Sequence, residues 1–142
     1  MDQGTLPAAY DVLAPDGSEI RLAGRGSGAS MVHCTLPGGS VSAAVRHRTV
    51  EELWLVVGGE GEVWRKRGGE QSTIGAAAGS RLTIPPGTRF HVTSACARNR
   101  QSGRATGTAP LQIVIATAPP WPGQAEAVRE ADHWATGQPA DA

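Results

Sequence analysis

The sequence predicts an all-β domain, a small sandwich or barrel, on three observations. Turn signals recur about every ten residues, at Pro15–Gly17, Pro37–Gly39, Gly58–Gly61, Gly68–Gly69 and Pro85–Gly87. The runs between them are short and rich in alternating apolar residues. The chain carries 19 glycines and 10 prolines in 142 residues, and no long window repeats at the helical period.

The elements follow in order. "AAYDVLAPDGSEIRLAG" reads as two short strands around a Pro-Asp-Gly turn. "ASMVHCTLPGG" is a strand stopped by Pro37, Gly38 and Gly39, and "SVSAAVRH" alternates loosely after it. "EELWLVVGGEGEVWRKRGGEQ" is the clearest unit, two strands over Glu52–Val57 and Glu62–Arg67, with "GGEGE" read as hairpin glycines. "SRLTIPPGTRFHVTS" gives a strand, a Pro-Pro-Gly turn and another strand, and "PLQIVIATA" is the last strong strand. The polar, Gly-rich stretch "SACARNRQSGRATGTAP" has the composition of a mobile loop. After Ala118, "PPWPG" can be neither helix nor central strand. "QAEAVREADHW" then forms one short helix or lies extended across the barrel, and "ATGQPADA" is expected to fray. No repeat or boundary divides residues 8–118, so the barrel is assigned to 1–118, with 119–142 as a tail packed on the barrel or on a partner subunit.

Thirteen basic residues balance thirteen acidic ones, so no global field draws nucleic acid or an anionic membrane. The N-terminus lacks a basic start before an apolar run, and "LWLVV" and "IVIA" are too short to span a bilayer. These features, with two cysteines (Cys34 and Cys96) in no paired metal spacing, lead to the expectation of a cytoplasmic protein with reduced thiols.

Two spacings then carry a resemblance. Gly39, five residues, Val45-Arg46-His47, four residues, Glu52, six residues and Gly59 form one; Gly79, five residues, Pro85-Pro86-Gly87, two residues and Phe90 form the other. The chain resembles the cupin family, whose first motif has histidines where Val45 and His47 stand and whose second has a histidine at Phe90 and an asparagine at Ser94. The resemblance implies a double-stranded β-helix (jelly-roll barrel) over about residues 8 to 118, and a homodimer. In metal-bound cupins the motif histidines and the glutamate are the ligands, which leaves His47 and Glu52 here. Two ligands do not make a tight site, since enzyme metals generally hold three.

His33 is the candidate third ligand. It shares parity with Met31 and Thr35, opposite Val32 and Cys34, and that pattern does not decide which side is inward. If it faces the cavity, His33, His47 and Glu52 make a two-histidine, one-carboxylate set suited to Fe, Mn, Ni or Zn. His91 follows the vacant second-motif position and should point away from the barrel, because Phe90 and Val92 form the apolar set. Glu51 falls on the face opposite Glu52 and is read as a solvated charge near Arg46 or Arg48. Arg98, Arg100 and Arg104 sit on one loop, either solvated or clamping an anion at the barrel mouth.

A carboxylate buried at Glu52 needs a metal, a partner or a raised pKa. With His47 as partner it forms an acid–base pair suited to proton abstraction next to a carbonyl, followed by isomerisation, elimination or ring closure. Metal-free sugar epimerases and natural-product cyclases of the cupin family are similar in this respect. Trp54 shares the strand face of Glu52, and Val45 and Phe90 make the vacated positions apolar, so an organic ligand held by shape is expected. His33 and Arg81 complete the candidate substrate-binding set. The expectation is a small-molecule enzyme of isomerase, lyase or cyclase type, catalytic at Glu52 and His47, without a cofactor. The alternatives are a metal-dependent enzyme such as an oxygenase, and a non-catalytic ligand-binding cupin.

Overall fold

The computed structural model describes residues 1–95, 97–98, 105–107 and 109–134. Cys96, Arg100, Arg104, the side chain of Arg98 and the segment "ATGQPADA" lie outside the described residues. Among the described residues thirteen strands follow in chain order: β1 Val12–Leu13, β2 Glu19–Arg25, β3 Ser30–Leu36, β4 Val45–His47, β5 Glu51–Gly58, β6 Glu60–Arg67, β7 Glu70–Ala77, β8 Arg81–Ile84, β9 Arg89–Ser94, β10 Ala97–Arg98, β11 Ala105–Gly107, β12 Leu111–Ala118 and β13 Ala127–Arg129. They build a six-stranded sheet in the order β1-β2-β3-β12-β5-β8 and a five-stranded sheet in the order β13-β4-β9-β6-β7, with β10 and β11 as a separate ladder. All pairings are antiparallel, and the two sheets enclose one core that includes Leu36, Val56, Val63, Ile84, Leu111 and Ile113. Among the described residues no helix is long and apolar enough to cross a membrane.

Alternation is strictest where a strand separates core from solvent. In β5, Glu52, Trp54 and Val56 are buried while Glu51, Leu53, Leu55 and Val57 are exposed. β7 was not expected from the sequence. It is an outer strand with one buried residue, Ala76, so "EQSTIGAA" lacks the apolar alternation that marks a half-buried strand.

Two expectations need correction. "GGEGE" does not close a hairpin: β5 belongs to one sheet and β6 to the other, so the chain crosses over there. Gly59 makes the corner at φ +76°, and a Cβ on it would strike the Pro110 carbonyl oxygen. A Cβ on Gly61 would be driven into the Thr93 carbonyl oxygen, so both positions need glycine for close approach. The helix offered as one course for the tail is reduced to a single 3-10 turn at Gln124–Glu126. Residues beyond it extend as β13 and pair with β4, in register Ala127↔His47 to Arg129↔Val45. The acidic side chains there are spent on the barrel: Glu130 meets Arg46 at 2.8 Å, and Asp132 accepts the Ala44 amide at 2.8 Å. Arg46 therefore pairs with Glu130, while Glu51 stays exposed.

The tail is also fastened by His91. This residue points away from the barrel interior but has no exposure, because residues 131–134 fold over it. Its Nε2 accepts the amides of His133 and Trp134, each at 3.2 Å, which requires an unprotonated Nε2. Trp134 stacks on His91 with centroids 4.6 Å apart, and His133 stacks on Trp64 at 4.8 Å.

Candidate functional site

The inward residues of the six-stranded sheet form three cross-strand rungs. Ser30, Thr117 and Glu52 make a polar rung. Leu22, Val32, Ile115, Trp54 and Leu82 make an apolar one, and Ile20, Cys34, Ile113 and Val56 make the next. Across from them β4 presents Val45 and His47, and β9 presents Phe90 and Val92. Between the sheets lies a cavity of about 780 Å³ lined by Val45, His47, Glu52, Trp54, Phe90 and Trp121, among others.

Glu52 and His47 meet at one end. Glu52 is 5% exposed and His47 6%. Glu52 Oε1 accepts the Trp54 indole N–H at 3.2 Å and stands 3.5 Å from His47 Nδ1. That second distance is too long for a hydrogen bond, and His47 Nδ1 is buried with no partner among the described residues. Burial also keeps the pair from being ionic. Desolvation lifts Glu52 to about 8, against the Trp54 bond, with the Asp16 carboxyl adding to the rise. Desolvation lowers His47 to about 4, with the Glu126 carboxylate opposing it. At neutral pH the site therefore holds a carboxylic acid beside a neutral imidazole.

An aromatic box surrounds the pair. His47 meets Phe90 edge-on at 5.2 Å and Trp121 at 4.9 Å, and Phe90 meets Trp54 at 5.5 Å. Val45 and Phe90, the two positions where motif histidines are replaced, are register partners on β4 and β9. The lost ligand positions are thus one apolar contact.

The structure brings Glu52, His47, Trp54, Phe90 and Val45 to one cavity, and leaves two candidates elsewhere. His33 lies on the outer face of β3, opposite the buried Cys34 and Leu36, with Nδ1 3.5 Å from Thr35 Oγ1. It borders both the large cavity and a shallow outer depression with Arg21 and Pro7, but its ring is on the side of the sheet away from Glu52. The inward positions of β3 are taken by the apolar rungs. Arg81 is exposed on β8, alternating with buried Leu82, so it too faces away. The set His33, His47 and Glu52 therefore does not converge, and among the described residues no three His, Cys, Asp or Glu side chains are placed to hold a metal ion. The residues present do not fit the metal that the resemblance implies.

Three contributors were not singled out as site residues. Trp121, in the tail assigned to the barrel or to a partner subunit, folds back onto its own chain as a cavity wall. Glu126 is buried, and its carboxylate takes the amides of Thr49 and Val50 and the Thr49 hydroxyl, fixing the turn between His47 and Glu52. Those bonds hold it below the usual carboxylate range despite its burial. Asp16, in the Pro-Asp-Gly turn, also lines the cavity. Nothing in the sequence marks these three, because each reaches the site from a distant part of the chain. Cys34 lies beside Asp16; burial and then that carboxyl push its thiol up, so it stays neutral.

No protein-family model matches the chain, and no curated protein matches it. Solved structures do. A Streptomyces Pac13 variant with uridine is 14% identical over 92% of each chain, with a TM-score of 0.64. Another Pac13 structure, described as a unique nucleoside dehydratase, is 18% identical over 82% of each chain at 0.58. A Klebsiella pneumoniae protein with a double-stranded β-helix domain is 18% identical over 87% of this chain and 92% of its own, at 0.59. Part of Bacillus subtilis oxalate decarboxylase also matches, at 13% identity and 0.60, over 79% of this chain and 28% of that one.

Proposed function

From its fold, a cupin-type double-stranded β-helix, we propose that this chain is a small-molecule enzyme of the lyase, isomerase or cyclase type, with Glu52 as general acid and His47 as general base. The observation that carries this is a nearly buried carboxyl with no cationic partner among the described residues, beside a buried imidazole whose Nδ1 is unpaired among them, at the wall of a largely apolar cavity. Groups whose environments push their pKa values apart suit opposite proton transfers. For an elimination, His47 takes the proton from the carbon next to a carbonyl. Glu52 gives its proton to the departing β-hydroxyl, the C–O bond breaks, and water leaves with an alkene in its place. Transfer of the proton from the His47 imidazolium to the Glu52 carboxylate, directly or by exchange with water, then returns the pair to its starting form. The uridine bound by one Pac13 structure and the dehydratase description of another support a neutral organic ligand and this class of reaction. A homodimer belongs to the same reading, supported by the exposed apolar strip of Met31, Leu53 and Leu55 on the outer face of β3 and β5.

The test is a panel of neutral β-hydroxy aldehydes and ketones in deuterated water, followed by proton NMR and mass spectrometry. Deuterium entering next to the carbonyl, or loss of water, is expected with the native chain and reduced at least about a hundredfold in Glu52→Gln and His47→Ala. Turnover that survives Glu52→Gln rejects the assignment.

A further inference from the structure

The acid–base pair occupies one part of the cavity wall, and a third ionisable group, the half-buried Asp16, lines another part. Asp16 is positioned by its own turn and by the segment that leads into β4. Its main-chain oxygen accepts the Ala43 amide at 2.8 Å. Its Oδ1 accepts the Ser18 amide at 2.9 Å and the Ser18 hydroxyl at 2.6 Å. Its Oδ2 takes no hydrogen bond from the described residues, while the side chain lines the cavity. Ser18 comes two residues before Ile20, the register partner of Cys34, which puts the Asp16 turn near the Cys34 end of β3. Glu52 is on the Ser30 rung, four residues along β3, and the two rungs are spaced about 13 Å apart along the strand. The wall between is apolar, made by Val32, Trp54, Phe90, Val92 and Ile115.

We propose that Asp16 is the second ligand-anchoring residue of this cavity, and that with Glu52 it selects an elongated uncharged molecule with hydroxyl or amide groups at both ends and a flat ring between them. This rests on the reading that Glu52 faces a bound substrate. Trp54 and Phe90 offer faces and edges to an unsaturated ring midway. The chemistry at both ends disfavours anions. Burial raises the Asp16 carboxyl, against its Ser18 bonds, and Asp16 raises Glu52 in turn. Among the described residues the single arginine lining the cavity is Arg25, whose Nη1 donates to the Trp121 carbonyl oxygen at the rim. A phosphate inside would face two carboxyl groups and no buried cation.

The probes are uridine, thymidine and uridine 5′-monophosphate, titrated at pH 7.5 by calorimetry and tryptophan fluorescence against the native chain, Asp16→Asn and Asp16→Ala. The neutral nucleosides are expected to bind the native chain at least tenfold more tightly than the monophosphate. Asp16→Ala should weaken uridine at least tenfold, while Asp16→Asn, which keeps hydrogen-bonding groups there, should stay within about threefold of native. Asp16→Asn should also reduce the discrimination against the monophosphate at least threefold, which a merely structural role would not do. Failure of both nucleosides to bind at millimolar concentration, native affinity in Asp16→Ala, or unchanged discrimination in Asp16→Asn overturns the proposal. Its failure is separable from that of the catalytic reading. Binding that depends on Asp16 with turnover indifferent to Glu52 removes only the catalysis, and the reverse pattern removes only the Asp16 anchor.

Discussion

Replacing Glu52 by glutamine should make the protein more stable at neutral pH while abolishing its chemistry. Glu52 titrates at about 8 in the folded chain against an ordinary value of 4.5. Between these values the unfolded chain has released the proton and the folded chain has kept it. The unfolded state therefore binds fewer protons, and stability falls as pH rises. At about 1.4 kcal/mol per unit, the cost at pH 7 is about 3 kcal/mol, and it is nearly absent below pH 4.5. Glutamine cannot ionise, and its amide oxygen can still accept the Trp54 indole N–H. His47 shapes the other side. Its folded value of about 4 lies below the ordinary 6.5, so stability also falls as pH drops between those values. The two slopes cancel between pH 4.5 and 6.5, giving the native chain a plateau. Above it, the native chain should lose about 2 kcal/mol by pH 8 while Glu52→Gln stays level. Urea unfolding of both proteins at pH 5, 6, 7 and 8 reads the difference directly. Parallel pH curves, or a Glu52→Gln variant that is less stable at pH 7, would refute the reasoning that this carboxyl is held neutral chiefly by burial.

For the proposed reaction, kcat/KM should rise as His47 loses its proton near pH 4 and fall as Glu52 loses its own near pH 8, and Glu52→Gln should remove the upper limb of any residual rate. Val45→His combined with Phe90→His places two imidazoles on register partners beside His47 and Glu52, so elemental analysis should find close to one divalent transition metal per double-variant chain; no gain over the native chain would contradict the cavity geometry. His91→Ala strands the amides of His133 and Trp134 and leaves a void, for a loss of about 2–4 kcal/mol in urea unfolding. Leu55→Lys, on the exposed apolar strip, should shift a homodimer towards monomer in sedimentation experiments; an unchanged mass would argue against that face.

Much of the fold is legible in the sequence because turns and glycine spacing are local. Pro85, Gly87, Gly39 and Gly59 sit at fixed distances from the strands they bound. Half of the site is legible for the same reason, since Val45, His47, Glu52, Trp54 and Phe90 lie on β4, β5 and β9, which the motif spacings index. His33 was undecidable because parity sorts a strand into two faces without saying which is inside. That follows only from its neighbours, Ile20 on β2 and Ile113 on β12, both paired with Cys34. Asp16, Trp121 and Glu126 were illegible because their roles arise from tertiary contact; Glu126 reaches Thr49 across 77 residues of chain. The crossover at Gly59 shows the converse limit, a turn signal read correctly while the destination of the strand is set by the barrel.

The pairing of β13 with β4 has one more effect. Without β13, β4 would be the outermost strand of its sheet, a row of free amides and carbonyls flanked by Val45 and His47. Such an edge recruits any extended backbone it meets, including that of a sister molecule. The segment that walls the pocket with Trp121 therefore also guards against aggregation. A chain that lets go of its tail to open the site fully becomes sticky at the same moment, which limits ligand passage to motions that keep the last strand in place.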